Sequence, residues 1–211
     1  MPDIKAVLFD FGGVVLSSPF EAFRRHEEEH GLPTDFIRTV NATNPDANAW
    51  ARLERGEVDL DGFDELFREE SRALGHEVSG TEVLGLLGGE VRPAMVTALR
   101  RIKEHGLPLV LLTNNVAAPA DGVEARPEVE EALALFDEVV ESSKAGVRKP
   151  DKAAYELALQ ALGHPPQEVV FLDDLGINLK PAKEMGMTTI KVVDGDQAIA
   201  DLEAVLGFSL R

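Results

Sequence analysis

Short apolar runs alternate with amphipathic stretches along most of the chain. The first run, "AVLFD", carries four apolar residues and then stops at an acid, Asp10. Runs of this length, rich in β-branched and aromatic residues and bounded by Gly, Pro, Asn or Asp, are typical of strands buried on both faces. The pattern predicts strands at Ile4–Phe9, Leu107–Leu112, Glu138–Glu141, Val169–Leu172 and Thr189–Val193.

Helical spacing of apolar residues separates these predicted strands. Several of the helical stretches begin with Pro in the first turn and end at Gly, as helices often do. The predicted helices are Pro93–His105, Pro127–Leu135, Asp151–Leu162, Asn178–Met185 and Asp196–Leu206. Apolar strands that alternate with helices predict a parallel sheet covered on both faces, that is, a doubly wound, Rossmann-like α/β fold.

One long segment, residues 17–92, interrupts this alternation. It carries no strand pattern and only helical stretches, at Phe20–His30, Ala47–Arg55 and Leu60–Leu74. We therefore expect an inserted helical cap over residues 17–92 and a core formed by residues 1–16 and 93–211. Most bulky apolar side chains of the insert should form its own core, and we expect Trp50 to approach a substrate. These side chains are Phe20, Phe23, Trp50, Phe63 and Phe67.

Composition narrows the class of protein. A chain of 211 residues suits one α/β domain with a smaller subdomain. Its 38 acidic and 21 basic residues give a net charge of −17, which argues against a nucleic-acid partner. The absence of cysteine excludes disulfides and thiolate chemistry. The apolar runs are too short for a membrane span and the amino terminus does not read as a signal peptide. We therefore expect a cytosolic protein that acts on a small molecule.

Polar residues follow four of the predicted strands. Asp10 follows the first strand, Thr113 and Asn114 the second, Lys149 the third, and the pair Asp173–Asp174 the fourth. Open parallel sheets bind their ligands at the carboxyl ends of the strands, near the point where the strand order reverses. The sequence therefore predicts that these side chains meet at one edge of the sheet.

The segments that carry these residues resemble the four motifs of the haloacid dehalogenase superfamily. They are "LFDFGGV", "LLTNN", "GVRKPDKAAY" and "VVFLDDLGINLKPAKEMGM", and the resemblance covers essentially the whole chain. Within the superfamily, the chain is similar to the branch with a helical cap after the first motif. In particular, it resembles the N-terminal phosphatase domain of soluble epoxide hydrolases and a related domain of an acyl-CoA dehydrogenase fusion. The resemblance implies hydrolysis of a small phosphorylated metabolite through an aspartyl-phosphate.

The resemblance also implies a role for each residue. Asp10 would be the nucleophile, and Mg²⁺ would be held by Asp10, the backbone carbonyl of Gly12 and Asp174. Catalytic roles would further fall to Lys149, which offsets the charge of the transferring group, and to Asp173, which orders the surroundings of the metal. The expected substrate-binding residues are Thr113, Asn114, Lys149 and Asn178, with Asn178 also ordering the groups around the metal.

Gly12 departs from the pattern of the phosphatases in this superfamily. They usually carry a second Asp two positions after the nucleophile, as general acid and base, and this chain has Gly12 there. Three interpretations follow. The enzyme acts on good leaving groups, such as sugar 1-phosphates or acyl phosphates; another group, for instance from the cap, supplies the proton; or the domain has a binding or regulatory role.

A dehalogenase is the enzymatic alternative, because such relatives also lack the second acid. They need no metal, however, and the pair Asp173–Asp174 would then place uncompensated negative charge beside an anionic substrate. The pair favours Mg²⁺ and phosphate.

Two further segments attract a functional interpretation. "HEEEH", His26 to His30, fits the H-E-x-x-H pattern of zinc sites, but it lies in a predicted cap helix with no evident third ligand. We interpret it as an amphipathic helix. The segment 116–127, "VAAPADGVEARP", is interpreted either as a plain surface connection or as a lid or subunit contact.

Overall fold

A five-stranded parallel sheet forms the centre of the fold. The computed structural model describes residues 3–114 and 126–211. All strand pairs are parallel, in the order β3-β2-β1-β4-β5. The strands are β1 Ala6–Phe9, β2 Leu109–Thr113, β3 Glu138–Glu141, β4 Val169–Asp173 and β5 Thr188–Lys191. The predicted doubly wound α/β fold is confirmed, and each predicted strand is present with its ends moved by at most two residues.

Helices connect the strands and fill the long segment after β1. Five follow β1 in the insert: α1 Phe20–His30, α2 Phe36–Ala42, α3 Ala49–Glu54, α4 Leu60–Ala73 and α5 Gly80–Gly85. We call α1–α5 the cap helices. In the described residues outside the insert, the helices are α6 Pro93–Glu104, α7 Pro127–Leu133, α8 Ser142–Ala145, α9 Lys152–Leu162, α10 Gly176–Glu184 and α11 Gly195–Leu206, with a 3₁₀ turn at Pro166–Glu168. None of the helices within the described residues has the length and apolar character needed to cross a membrane.

The alternation of side chains along each strand divides the core into two layers. Val7 and Phe9 point to one face of the sheet, where α6, α7 and α11 pack. Ala6 and Leu8 point to the other face, against α9 and α10. All four side chains are fully buried, because both faces of a doubly wound sheet are covered by helices.

The strand order reverses at β1. The chain passes from β1 to β2 and β3 on one side, then crosses back to β4 and β5 on the other. β2 and β4 therefore lie on either side of β1, and the chain leaves their carboxyl ends in opposite directions. Such a reversal leaves a crevice where ligands bind.

The cap helices pack around a hydrophobic cluster of their own. Phe63 and Phe67 are fully buried in it, and Phe23 is nearly so. The two chain segments that join the insert to the sheet run side by side: Leu16 and Val91 form an antiparallel bridge, and Arg92 N donates to the Val15 carbonyl at 2.9 Å.

The "HEEEH" segment lies in α1 and has a structural role. The Glu27 carboxylate is almost fully buried and accepts backbone N–H bonds from Asp35 at 2.8 Å and Ile37 at 2.9 Å. These bonds hold the start of α2 against α1. The rings of His26 and His30 stack with centroids 4.1 Å apart. In the segment 116–127, all positions before Arg126 lie outside the described residues.

Candidate active site

Three carboxylates meet at the carboxyl ends of β1 and β4. Asp10 follows β1 directly, Asp173 is the last residue of β4, and Asp174 comes next. One carboxylate oxygen from each lies within 4.8 Å of the other two. Their strands are neighbours in the sheet, and the Asp10 amide donates to the Leu172 carbonyl at 2.9 Å. The register of β1 against β4 therefore brings these acids together.

Lys149 lies between two of the acids. Its Nζ is 2.9 Å from Asp10 Oδ1 and 2.7 Å from Asp173 Oδ2, and its side chain is 1% exposed. The Asn178 amide donates to both oxygens of Asp173 at 3.1 Å. The amide of Leu175 donates to Asp173 Oδ1 at 2.7 Å. These bonds fix Asp173 and, through it, the ammonium group beside Asp10.

Burial dominates the electrostatics of this cluster. It raises the pKa of Asp10 to about 7, against the opposing effect of Lys149. Burial and the neighbouring Asp173 raise the pKa of Asp174 to about 6. Burial alone would lower the pKa of Lys149, but the two acids outweigh it and raise that pKa. Lys149 is thus a fixed positive charge.

The donor set fits a magnesium ion. Lys149 pairs with two of the three carboxylates and Lys191 acts more weakly on Asp174, so negative charge exceeds positive charge in the cluster. Mg²⁺ takes oxygen ligands, and it would restore the charged forms of the acids whose pKa burial raises. Asp10, Asp174 and the Gly12 carbonyl are the ligands expected from the sequence.

Gly12 and Gly13 have different constraints. Gly13 has φ +75°, and a Cβ there would lie 2.3 Å from Asp174 Oδ2. The backbone after β1 therefore approaches Asp174 so closely that only glycine fits. Gly12 has no such left-handed φ, and a Cβ there would meet no atom of the described residues within 4 Å. A side chain at position 12 is sterically permitted.

Thr113 and Asn114 stand at the end of β2. Thr113 is the last strand residue and is buried. The Asn114 amide donates to the Lys149 carbonyl and its Oδ1 accepts from the Lys149 amide, both at 2.9 Å. These two bonds tie the end of β2 to the segment that carries Lys149.

One acidic residue at this edge, Glu54, is not evident from the sequence. Arg148 Nε lies 2.6 Å from Glu54 Oε2 at the end of α3, and Arg148 also donates to the Pro45 carbonyl at 2.9 Å. Burial raises the pKa of Glu54 to about 7, although Arg148, Lys149 and Arg55 lower it. The sequence shows Glu54 as one acid among many in "RLERGEVD", and only the docking of α3 singles it out.

Trp50 lies one helical turn before Glu54 in α3. Its ring packs against Phe63 with centroids 5.0 Å apart. Its indole nitrogen is buried and has no hydrogen-bond partner among residues 3–114 and 126–211. The expected approach of Trp50 to a substrate remains a prediction.

Comparison with known proteins identifies relatives of this chain. A sequence profile of the haloacid dehalogenase-like hydrolases matches residues 4–186. Acyl-CoA dehydrogenase family member 10 of Mus musculus is 37% identical over 98% of the chain, and bifunctional epoxide hydrolase 2 of the same species is 32% identical over 97%. The chain spans only 20% and 39% of these two proteins. A sesquiterpene phosphatase of Aspergillus oryzae is 26% identical over 96% of this chain and 97% of its own.

Solved structures share the fold. A haloacid dehalogenase family enzyme from Bacteroides thetaiotaomicron, in complex with magnesium and inorganic phosphate, has a TM-score of 0.60 and 21% identity, covering 90% of this chain and 96% of that one. L-2-haloacid dehalogenase from Xanthobacter autotrophicus, with chloropropionic acid covalently bound, has a TM-score of 0.59 and 21% identity, covering 96% and 83%. The fold is thus shared with a protein that binds magnesium and phosphate and with a dehalogenase.

Proposed function

The chain belongs to the haloacid dehalogenase-like hydrolases, and on that premise we propose that it is a Mg²⁺-dependent phosphatase of small phosphate monoesters. Asp10 would attack phosphorus and form an aspartyl-phosphate, which water then hydrolyses. The division of the chain into a catalytic core, residues 1–16 and 93–211, and a cap, residues 17–92, is part of this proposal.

The cluster of Asp10, Asp173 and Asp174 around Lys149 carries the proposal. A dehalogenase acting on a carboxylate substrate would bind its anion beside two buried acids and the half-buried Asp174, with the Lys149 ammonium group already held between Asp10 and Asp173. A phosphatase with bound Mg²⁺ turns the same acids into ligands. The identity to a phosphatase over nearly its whole length supports this choice.

Each residue of the site has its own role in the proposed reaction. Asp10 Oδ1 is held by Lys149 and by the Phe11 amide at 2.7 Å, so the other oxygen of Asp10 is the one we assign to attack. Lys149 offsets negative charge on the transferring group. Bound Mg²⁺ would supply a Lewis acid for the phosphoryl oxygens. Thr113 and Asn114 are proposed to hold phosphate oxygens at the end of β2. Asn178 would fix Asp173 and border the bound substrate.

A phosphate-release screen tests this function. We expect Mg²⁺-dependent turnover of aryl, acyl, sugar and terpenyl phosphates, lost on chelation and restored by Mg²⁺. Asp10→Asn should lower turnover on the order of 10⁴-fold or more while keeping the fold, because the amide is a poor nucleophile of nearly equal size. Chloride release from 2-chloropropionate without metal would favour the dehalogenase. A chain that binds phosphate esters without turnover would have a binding or regulatory role.

A further inference from the structure

Glu54 is a half-buried carboxyl group to which the proposed mechanism gives no role. It ends α3, its side chain is 14% exposed, and it contacts Arg148 Nε at 2.6 Å and Asn114 Nδ2 at 3.5 Å. Arg148 directly precedes Lys149, and Asn114 directly follows Thr113. A carboxyl group from the cap helices thus lies against two segments of the sheet edge.

The position of Glu54 suits a leaving group better than a nucleophile. In phosphoryl transfer the attacking and leaving oxygens lie roughly in line on opposite sides of phosphorus. In the proposed mechanism Asp10 attacks from the end of β1, so the leaving oxygen points away from that strand end. Of the cap helices, α3 is the one that carries Glu54 against this edge. The contacts of Glu54 place α3 over the ends of β2 and the segment of Lys149.

The surroundings of Glu54 also suit proton transfer. Positive charge faces it from Arg148, Lys149 and Arg55, and the Asn114 amide donates toward it. These groups lower the pKa of Glu54, burial raises it more strongly, and the result is about 7. A general acid and base works best when its pKa is close to the working pH.

We propose that Glu54 is the general acid and base that replaces the missing carboxylate at Gly12, an inference that rests on the proposed phosphatase function. In the first step the Asp10–phosphorus bond forms, the bond from phosphorus to the ester oxygen breaks, and the Glu54 proton moves to that oxygen to give the alcohol. In the second step water gives its proton to the Glu54 carboxylate as its oxygen bonds to phosphorus. The Asp10–phosphorus bond then breaks and inorganic phosphate leaves.

Glu54→Gln separates this role from a structural one, because the amide keeps an oxygen for Arg148 but has no proton to transfer. We expect kcat/KM for an alkyl phosphate, such as glycerol phosphate, to fall about 10²-fold or more. For acetyl phosphate, whose leaving group needs no proton, kcat/KM should stay within about threefold of wild type. Glu57→Gln is the matched control, since Glu57 is an exposed partner of Arg55 just beyond α3. It should behave as wild type with both esters.

The pH profile gives a second readout. For wild type, kcat/KM on the alkyl phosphate should fall as the pH rises through the pKa of Glu54, about 7, because the acid must be protonated. Arg148→Gln removes a charge that lowers this pKa, so the fall should move to higher pH. This variant tests the assignment even if Glu54→Gln does not fold.

Each outcome of these experiments decides the assignment. An equal loss on both esters in Glu54→Gln, or no loss on either, would overturn the role of Glu54 while leaving the phosphatase function intact. An unmoved pH profile in Arg148→Gln would do the same. Failure of wild type to hydrolyse any phosphate ester would contradict the phosphatase function itself, and this inference with it.

Discussion

The two sides of the candidate site are built differently. On the sheet side, Lys149 is held between Asp10, which directly follows β1, and Asp173, which ends the neighbouring strand β4. On the helix side, Glu54 meets Arg148 across a contact between α3 and a distant part of the chain, and both side chains keep about a seventh of their surface exposed. The sheet side is fixed by strand register, whereas the helix side depends on how the cap helices dock. We expect stability to reside in the first and selectivity in the second.

Lys149→Met should destabilise the sheet side of the site and lower the free energy of unfolding. It leaves the buried carboxylates of Asp10 and Asp173 without their shared cation, and removing one partner of a buried ion pair costs about 3–5 kcal/mol. Urea unfolding without Mg²⁺ measures the loss. Lys144→Met, at an exposed lysine that pairs with Glu141, should cost less than about 1 kcal/mol. Equal stability of the two variants would show that the Lys149 pairs do not hold the sheet edge.

The two glycines after β1 sharpen the comparison within the sheet side. Gly13→Ala should cost about 1–3 kcal/mol and weaken Mg²⁺ binding, because φ is +75° and the new Cβ would displace Asp174. At Gly12→Ala the new Cβ has no atom within 4 Å in the part of the chain that the structure describes, so stability should change by less than about 1 kcal/mol. Thermal unfolding and Mg²⁺ calorimetry on both variants check this. A tolerated Gly13→Ala would mean that the backbone does not approach Asp174 as closely as described.

Gly12→Asp tests whether a carboxylate on the sheet side can replace Glu54 as the proton donor. In the Glu54→Gln background it should raise kcat/KM on alkyl phosphates by about 10- to 100-fold, or about 1.4–2.7 kcal/mol of barrier. In the wild-type background the gain should be much smaller, because Glu54 already supplies the proton. Rates of phosphate release from glycerol phosphate measure both. A gain of equal size in the two backgrounds would show that Glu54 does not supply the proton in the wild type.

The sheet side was largely predictable from the sequence, because strand-end residues are read directly from apolar runs that stop at polar residues. Asp10, Thr113 and Asp173 were all placed in this way. The short helices α2, α5 and α8 were missed, because four to seven residues carry little periodicity. The equally short α3 and α7 were predicted only as parts of longer helical stretches. Glu54 was missed for another reason: its partner, Arg148, is far away in the chain, and no local pattern encodes the docking of α3.

Trapping the covalent intermediate tests the central claim most directly. The enzyme is mixed with Mg²⁺ and acetyl phosphate, quenched, reduced with borohydride and digested, so that an aspartyl-phosphate becomes homoserine that peptide mass spectrometry locates. The account predicts homoserine at position 10, dependent on both Mg²⁺ and substrate. Phosphate release without modification at Asp10, or homoserine at another aspartate, would contradict it.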